Sequence, residues 1–283
     1  MVDNFKSSEG LFICGVVAPE CDARGWTKMS HDLFDLTGRV ALVTGSYQGL
    51  GLGIARGLGQ AGARIVLNGR NEEKLQHALS TLSGEGLKVS GCCFDVSNTA
   101  QVQEKITALE SECGRIDILV NNAGIQRRSP LEQFEERVWR EVLDTNLTGL
   151  FLVTKQIVPG MIARKAGKII NICSLMCEMG RPTVGAYTAA KGGVKMLTKA
   201  MALEWGKHNI QVNGIGPGYI TTEMNRPLME DPKFDAWIRS RTPMGRWGEP
   251  KELVGAAVFL SSHASDFVTG QIIYVDGGIL AAL

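Results

Sequence analysis

The sequence predicts a single α/β domain built on a seven-stranded parallel sheet with helices on both faces. Short apolar runs rich in β-branched residues recur seven times, and amphipathic stretches with apolar residues at helical spacing lie between them. The runs are near-continuous rather than alternating, as expected of strands buried on both faces in a parallel sheet. Composition agrees: 34 of the 283 residues are glycine, about 12% against a usual ~7%, set without period between the apolar runs, where tight turns and close backbone approach are needed.

The strands follow in order. RVALVTG (39–45) opens the pattern, then RIVLNG (64–69), KVSGCCFDV (88–96), IDILVNNAG (116–124), KIINICS (168–174), IQVNGIGPG (210–218) and QIIYVDGG (271–278). Between them, Glu72–Leu82 and Thr99–Glu112 read as amphipathic helices. No internal repeat or linker interrupts the alternation, so residues 36–283 are expected to form one domain. Residues 1–35 show neither period and read as an N-terminal tail, with Met29 a natural alternative start. The longest irregular stretch, Tyr219–Pro250, follows the C-terminal end of the sixth strand, where open α/β sheets bind ligands, and reads as a substrate lid.

Several function classes are disfavoured at this level. A net charge of +1 gives no electrostatic reason to bind nucleic acid or an anionic membrane. No apolar run approaches the ~20 residues of a membrane span. Leu11–Ala18 is apolar, but Asp3, Lys6 and Glu9 precede it in place of the positive segment of an export signal. Seven scattered cysteines without a CxxC pair, and four dispersed histidines, argue against a disulfide framework and a metal centre. A cytoplasmic protein with reduced thiols and no metal is the expectation.

The chemistry-bearing residues begin at the first strand. Thr44-Gly45-Ser46-Tyr47-Gln48-Gly49-Leu50-Gly51 leaves that strand and opens a helix, a turn whose backbone N–H groups can approach a dinucleotide pyrophosphate at the positive helix end. The second strand ends in Asn68-Gly69-Arg70, where an acidic residue would hold the ribose hydroxyl of NAD. Arg70 suits the 2′-phosphate of NADP instead, although Gln48 stands where a second cation would strengthen that preference. Tyr187 and Lys191 are i and i+4 on one helical face, and a cation one turn away favours the phenolate of a tyrosine that exchanges protons near neutral pH. Ser174 ends the fifth strand 13 residues earlier, Asn146 lies in DTNLTG, and Asn121-Asn122-Ala123-Gly124 closes the fourth strand.

In this order and spacing, TGxxxGxG, NNAG, Ser, YxxxK and Pro217-Gly218 resemble the short-chain dehydrogenase/reductase family, from about Leu36 to the C-terminus. The resemblance implies a Rossmann-type doubly wound fold and a catalytic tetrad of Asn146, Ser174, Tyr187 and Lys191. Tyr187 would be the acid in carbonyl reduction and the base in alcohol oxidation. Lys191 would support it and hold the nicotinamide ribose, Ser174 would bond the substrate oxygen, and Asn146 would anchor a relay water. It further implies that Asp95 and Val96 flank adenine, that Asn122, with Ala123 and Gly124, borders the cofactor, and that Ile220 and Thr222 follow Pro217-Gly218 at the carboxamide. Cys173 stands where the family often has Ser. A homotetramer built on the fourth and fifth helices, roughly Ser129–Lys165 and Tyr187–Lys207, is the inherited expectation.

Within that family, FDLTGRVALVTG, NNAGIQRR, GYITTEM and RTPMGRWGEP resemble the enzymes that interconvert D-gluconate and 5-keto-D-gluconate. A sugar acid needs a cation, and Arg127 and Arg128 after NNAG are the candidates, with Arg239, Arg241 and Arg246 on the lid. Another sugar acid such as 2-deoxy-gluconate, a polyol or a 3-oxoacyl carrier-protein thioester are the alternatives within the family. The carrier reading expects a basic docking surface that this near-neutral chain does not advertise. An inactive dinucleotide-binding regulator is opposed by the intact tetrad.

Overall fold

The computed structural model describes residues 33–282; of the tail expected over residues 1–35, residues 1–32 lie outside them. Seven strands, β1 (Val40–Val43), β2 (Arg64–Gly69), β3 (Val89–Cys93), β4 (Ile118–Asn121), β5 (Gly167–Ile172), β6 (Ile210–Pro217) and β7 (Ile272–Val275), coincide with the seven apolar runs. They form one sheet in the order β3-β2-β1-β4-β5-β6-β7, every neighbouring pair parallel. Chain order reverses between β1 and β4, which opens a crevice beyond their C-terminal ends, the usual ligand position in such sheets.

The crossovers are α1 (Gly49–Gln60), α2 (Glu72–Gly84), α3 (Thr99–Cys113), α4 (Glu136–Leu143), α5 (Gly149–Arg164), α6 (Gly185–Trp205) and α9 (Val254–Ser261); α7 (Arg226–Met229) and α8 (Pro232–Arg241) lie between β6 and α9. Local chemistry sets their starts. The Asn71 side chain accepts from Lys74 N to cap α2, with Glu72 and Glu73 in the first turn, and Asn98 caps α3 in the same way.

Both faces of the sheet are covered, as the continuous apolar runs require. On one face Leu42, Leu119, Ile169 and Val212 pack under α3, α5 and α6. On the other, Val43, Val120, Ile170 and Ile215 pack under α1, α2 and α9. Successive residues of a strand enter opposite layers, following the period of two. A polar seam crosses the first layer: Asn121 Nδ2 donates to Thr154 Oγ1 and to Asn171 Oδ1, both at 2.9 Å, and Asn171 Nδ2 donates to Thr198 Oγ1 at 2.9 Å. These buried amides fasten α5 and α6 to the two central strands, because leaving any of them unpaired would carry a desolvation cost.

The stretch Tyr219–Pro250 is closed at its base by Thr221 N donating to Gly248 O and Gly248 N donating to Tyr219 O, each at 2.9 Å. Above that base, Tyr219, Phe234 and Trp247 meet ring to ring at centroid separations of 5.7 and 6.4 Å, with Trp237 against Tyr219 and Phe234. The excursion therefore has its own aromatic core.

Candidate active site

The turn from β1 into α1 is held by side chains of the neighbouring strand end. Thr44 Oγ1 accepts from Asn122 N at 2.9 Å and Ala123 N at 3.0 Å, and Asn122 Nδ2 donates to Thr44 O at 2.8 Å and Gly45 O at 2.9 Å. Gly45 has φ +61°, and a Cβ there would lie 2.8 Å from Ala123 Cα, so neither conformation nor space admits a side chain. A Cβ at Gly51 would meet Asn122 Nδ2 at 2.4 Å. Gln48 provides no side-chain cap to α1 and no acidic residue stands in its first turn. The positive helix end and its unsatisfied N–H groups thus face the crevice without a protein anion.

Asn68, which sequence reasoning did not single out, positions this turn. Its Oδ1 accepts from Gly45 N at 3.1 Å while its Nδ2 donates to Cys92 O and Phe94 O at 3.1 Å. The signal was there: an amide inside the otherwise apolar run RIVLNG. Next to it, a Cβ at Gly69 would lie 2.1 Å from Tyr47 Cδ1, so the Tyr47 ring rests on the glycine. Arg70 is well exposed, 3.7 Å from the Asp95 carboxylate.

The four residues of the expected tetrad converge from three elements. Ser174 follows β5, and its Oγ accepts from Met176 N at 3.2 Å, which leaves the hydroxyl proton free to donate. Tyr187 and Lys191 lie one turn apart on α6, with the Lys191 ammonium 5.6 Å from the centre of the Tyr187 ring. Lys191 is 5% exposed and donates through Nζ to Ile172 O at 2.6 Å. Asn146 sits in a widened π-type turn, Asp144–Thr148, that joins α4 to α5. Such turns recur at functional sites. Its Nδ2 donates to Ile125 O at 2.9 Å and Val142 O at 2.8 Å, and its Oδ1 accepts from Ile125 N at 3.1 Å.

One cleft is lined by all of these groups. It receives Gly45, Tyr47, Gln48, Gly49, Leu50 and Gly51 from the first turn, Arg70, Asp95 and Val96 from the second and third strand ends, and Asn122, Ala123 and Gly124 from the fourth. Asn146, Ser174, Tyr187 and Lys191 line it, as do Pro217, Gly218, Ile220 and Thr222.

The arginine candidates separate. Arg127 lies outside the lining, with its guanidinium 2.9 Å from Glu141. Arg128 also lies outside the lining and bonds Gln126 Oε1 at 3.4 Å. On the lid, Arg239 pairs with Asp235 at 2.8 Å, Arg246 with Glu252 at 2.7 Å, and Arg241 donates to Ala282 O at 3.1 Å. None of these three lines the cleft, whereas Arg181 does.

Cys173 is buried beside Ser174, and its interaction with Cys177 together with desolvation pushes its thiol far up. Among the described residues, no group of three or more His, Cys, Asp or Glu is placed to hold a metal ion, and no helix is long and apolar enough to cross a membrane.

Comparison with known proteins fits this geometry. A family model described as "Enoyl-(Acyl carrier protein) reductase" matches residues 45–280. The gluconate 5-dehydrogenase of Gluconobacter oxydans (strain 621H) is 53% identical over 256 residues, 90% of this chain and 100% of that protein. The 2-dehydro-3-deoxy-D-gluconate 5-dehydrogenase of Formosa agariphila is 54% identical over 257 residues, 90% of this chain and 97% of that one. The crystal structure of a gluconate 5-dehydrogenase from Burkholderia cenocepacia J2315 in complex with NADP and tartrate matches with a TM-score of 0.88 and 52% identity, covering 90% of this chain and 100% of that one. With a glycine-turn cleft that gathers Ser174, Tyr187 and Lys191, and with matches of this extent, the chain belongs to the short-chain dehydrogenase/reductase family.

Proposed function

We propose that the protein is an NADP(H)-dependent oxidoreductase that reversibly reduces 5-keto-D-gluconate to D-gluconate, with Asn146, Ser174, Tyr187 and Lys191 as its catalytic residues. The observation that carries this reading is the convergence of an uncapped helix end, the Tyr187–Lys191 pair and Ser174 on a single cleft.

The residues present fit a dinucleotide. Gly45 and Gly51 keep clear the space that a Cβ would take from Ala123 and Asn122, and the N-terminus of α1 has no competing acid. Gly45, Gly49 and Gly51 would hold the pyrophosphate with Tyr47, Gln48 and Leu50 around it. Asp95 and Val96 would border the adenine, Asn122, Ala123 and Gly124 the floor, and Pro217, Gly218, Ile220 and Thr222 the carboxamide. Arg70, whose only carboxylate partner within 4 Å among the described residues is Asp95 at 3.7 Å, would pair with a 2′-phosphate. When bound, the nicotinamide supplies or accepts the hydride.

The chain's own groups then handle the proton. Ser174 donates to the substrate oxygen, since its acceptor side is already taken by Met176 N. Tyr187 gives its phenolic proton to that oxygen in reduction and takes one back in oxidation. The Lys191 ammonium, aimed by Ile172 O, stabilises the phenolate as it forms and has two N–H donors left for ribose hydroxyls. Both ends of the Asn146 amide are engaged by backbone, so the position it gives a relay water is set by the wall it holds at Ile125.

The sugar-acid assignment is supported by relatives above half identity over their full length whose names specify gluconate 5-dehydrogenase, and by the positive charge that Arg181 brings to the cleft lining. The test is absorbance at 340 nm with purified protein, 5-keto-D-gluconate, and NADPH or NADH in parallel. Oxidation of NADPH supports the assignment; no oxidation of either cofactor overturns it. A second reading, oxidation of 2-dehydro-3-deoxy-D-gluconate at its C5 hydroxyl, is favoured by the 54% identity to the Formosa agariphila enzyme, and reduction of NADP+ or NAD+ with that sugar acid beside D-gluconate, followed at the same wavelength, decides between them.

A homotetramer in the cytoplasm completes the proposal. Exposed Phe151 on α5 and Met196 and Leu203 on α6 supply apolar side chains for helix-mediated assembly. Light scattering on the purified protein tests the assembly.

A further inference from the structure

We propose that Arg181 binds the substrate carboxylate and sets the preference of the cleft for sugar acids over neutral ketoses, an inference that rests on the sugar-acid reading of the same site. Arg181 lines the cleft from the segment between Ser174 and Tyr187, seven residues after one and six before the other. Any substrate whose carbonyl meets both catalytic hydroxyls therefore lies beside this loop.

The loop is fixed rather than loose. Ser129 N donates to Thr183 O at 3.0 Å, and Thr183 has φ +69°, a left-handed conformation that a β-branched residue adopts only when its surroundings impose it. The bond joins the Arg181 loop to the loop that carries Arg128. Strain of this kind concentrates at binding sites.

The guanidinium is seated as well. Its centre lies 5.1 Å from the middle of the Phe234 ring, and Nη1 is 3.5 Å from the Tyr219 hydroxyl. Both rings belong to the aromatic core of the lid, so the lid itself aims Arg181. A guanidinium stacked on an aromatic face is pre-organised and keeps its N–H edge for a planar anion.

Charge supplies the third argument. Carboxylates neutralise Arg127, Arg239 and Arg246, and Glu223 in the cleft lining is itself paired with Arg226. Among the described residues, Arg181 and Arg128 have no carboxylate within 4 Å. Burial first, and the charge of Arg181 second, push the Arg128 guanidinium below its ordinary value. Two cations that repel each other without a counter-ion favour an arriving anion, and a carboxylate is the anionic group a sugar acid offers.

The test compares wild type with Arg181→Met and Arg181→Lys, all in the NADP-loaded form. Calorimetry follows binding of tartrate, a small hydroxy dicarboxylate. NADPH oxidation is followed with 5-keto-D-gluconate and with L-sorbose, which has a hydroxymethyl group where the sugar acid has its carboxylate. Arg181→Met is expected to lose tartrate binding and to raise KM for 5-keto-D-gluconate roughly 10- to 100-fold, with kcat and the KM for NADPH within about threefold. Turnover of L-sorbose stays at its wild-type level, and Arg181→Lys recovers part of the KM. Unchanged KM and tartrate affinity in Arg181→Met would overturn the proposal, as would an equal loss on L-sorbose, which marks a merely structural role. Tartrate binding that depends on Arg181 in a wild type that reduces no 5-keto-D-gluconate would overturn the gluconate assignment and leave the carboxylate site standing.

Discussion

The Lys191 ammonium donates to the backbone carbonyl of Ile172 at 2.6 Å, so the last residue of β5 aims the cation of α6 two residues before the same strand delivers Ser174. In the proposed mechanism, that bond ties the cation beside the Tyr187 phenol to the strand end that carries Ser174. Replacing Lys191 with Met removes both the anchor and the cation beside Tyr187. We expect kcat/KM to fall by roughly 10²- to 10⁴-fold, the range for a lost acid–base group, with the far-ultraviolet dichroism of the wild type retained. A smaller effect than tenfold would mean that the cation does not serve the proton transfer.

Tyr187→Phe deletes only the phenolic oxygen. Turnover is expected to fall by about 10²-fold or more while NADPH affinity, read by fluorescence titration, stays within about threefold, since the aromatic ring remains. Near-wild-type turnover in this variant would remove Tyr187 from the mechanism.

Much of the fold was legible in the sequence because burial on both faces leaves few options. A run such as Val40–Val43 has no solvent side, and only a parallel sheet between helical layers accommodates seven of them. The cleft residues were legible for a related reason: glycine turns and strand ends have fixed places in the chain order. What escaped depended on contacts distant in sequence. Ser129–Lys165 was expected as one helical stretch, yet α4 begins at Glu136 and a widened turn at Asp144–Thr148 interrupts it, and nothing in DTNLT spells an i→i+5 bond. Arg127 stood out beside Arg128, but its pairing with Glu141 fourteen residues on is invisible in the sequence. Arg181 lacked any local signal, because its seat against Phe234 and Tyr219 of the lid joins segments about 40 to 50 residues apart.

The glycine turn gives a sharp steric test. A Cβ at Gly51 would stand 2.4 Å from Asn122 Nδ2 and 2.6 Å from Gly45 O, whereas one at Gly255 on α9 meets nothing within 4 Å. Gly51→Ala is expected to destabilise by about 1–3 kcal/mol and to weaken NADPH binding, because Asn122 and the turn must shift together. Gly255→Ala is expected to stabilise by roughly 0.4–1 kcal/mol through the unfolded chain, with no change in cofactor affinity. Urea unfolding and NADPH titration of both variants check this, and equal behaviour of the two would sink the steric argument.

The proposed cofactor choice assigns the 2′-phosphate to Arg70, whose guanidinium lies 3.7 Å from Asp95. Arg70→Gln is expected to raise KM for NADPH by about tenfold and leave that for NADH unchanged, the size of one lost charge-assisted bond. Equal losses on both cofactors would mean that Arg70 holds the loop rather than the 2′-phosphate.

Glu178 links the turn that carries Ser174 to two distant elements and gives the fold a pH signature. Its carboxylate accepts from Lys195 Nζ on α6 at 2.5 and 2.6 Å and from the Tyr274 hydroxyl on β7 at 2.5 Å. The bond from Lys195 first, and that from Tyr274 second, hold the carboxyl below its ordinary 4.5. Because the folded value is the lower one, this contribution to stability is present above pH 4.5 and is lost as pH falls through the folded value. Glu178→Gln should therefore melt below wild type at pH 7, and the gap should close as the scan is repeated at successively lower pH beneath 4.5. The gap should be modest, since both partners of the ion pair remain partly exposed to solvent. A melting difference that stays constant from pH 7 to pH 3 would show that the variant acts through lost packing, and that the charge on Glu178 does not hold the Ser174 turn.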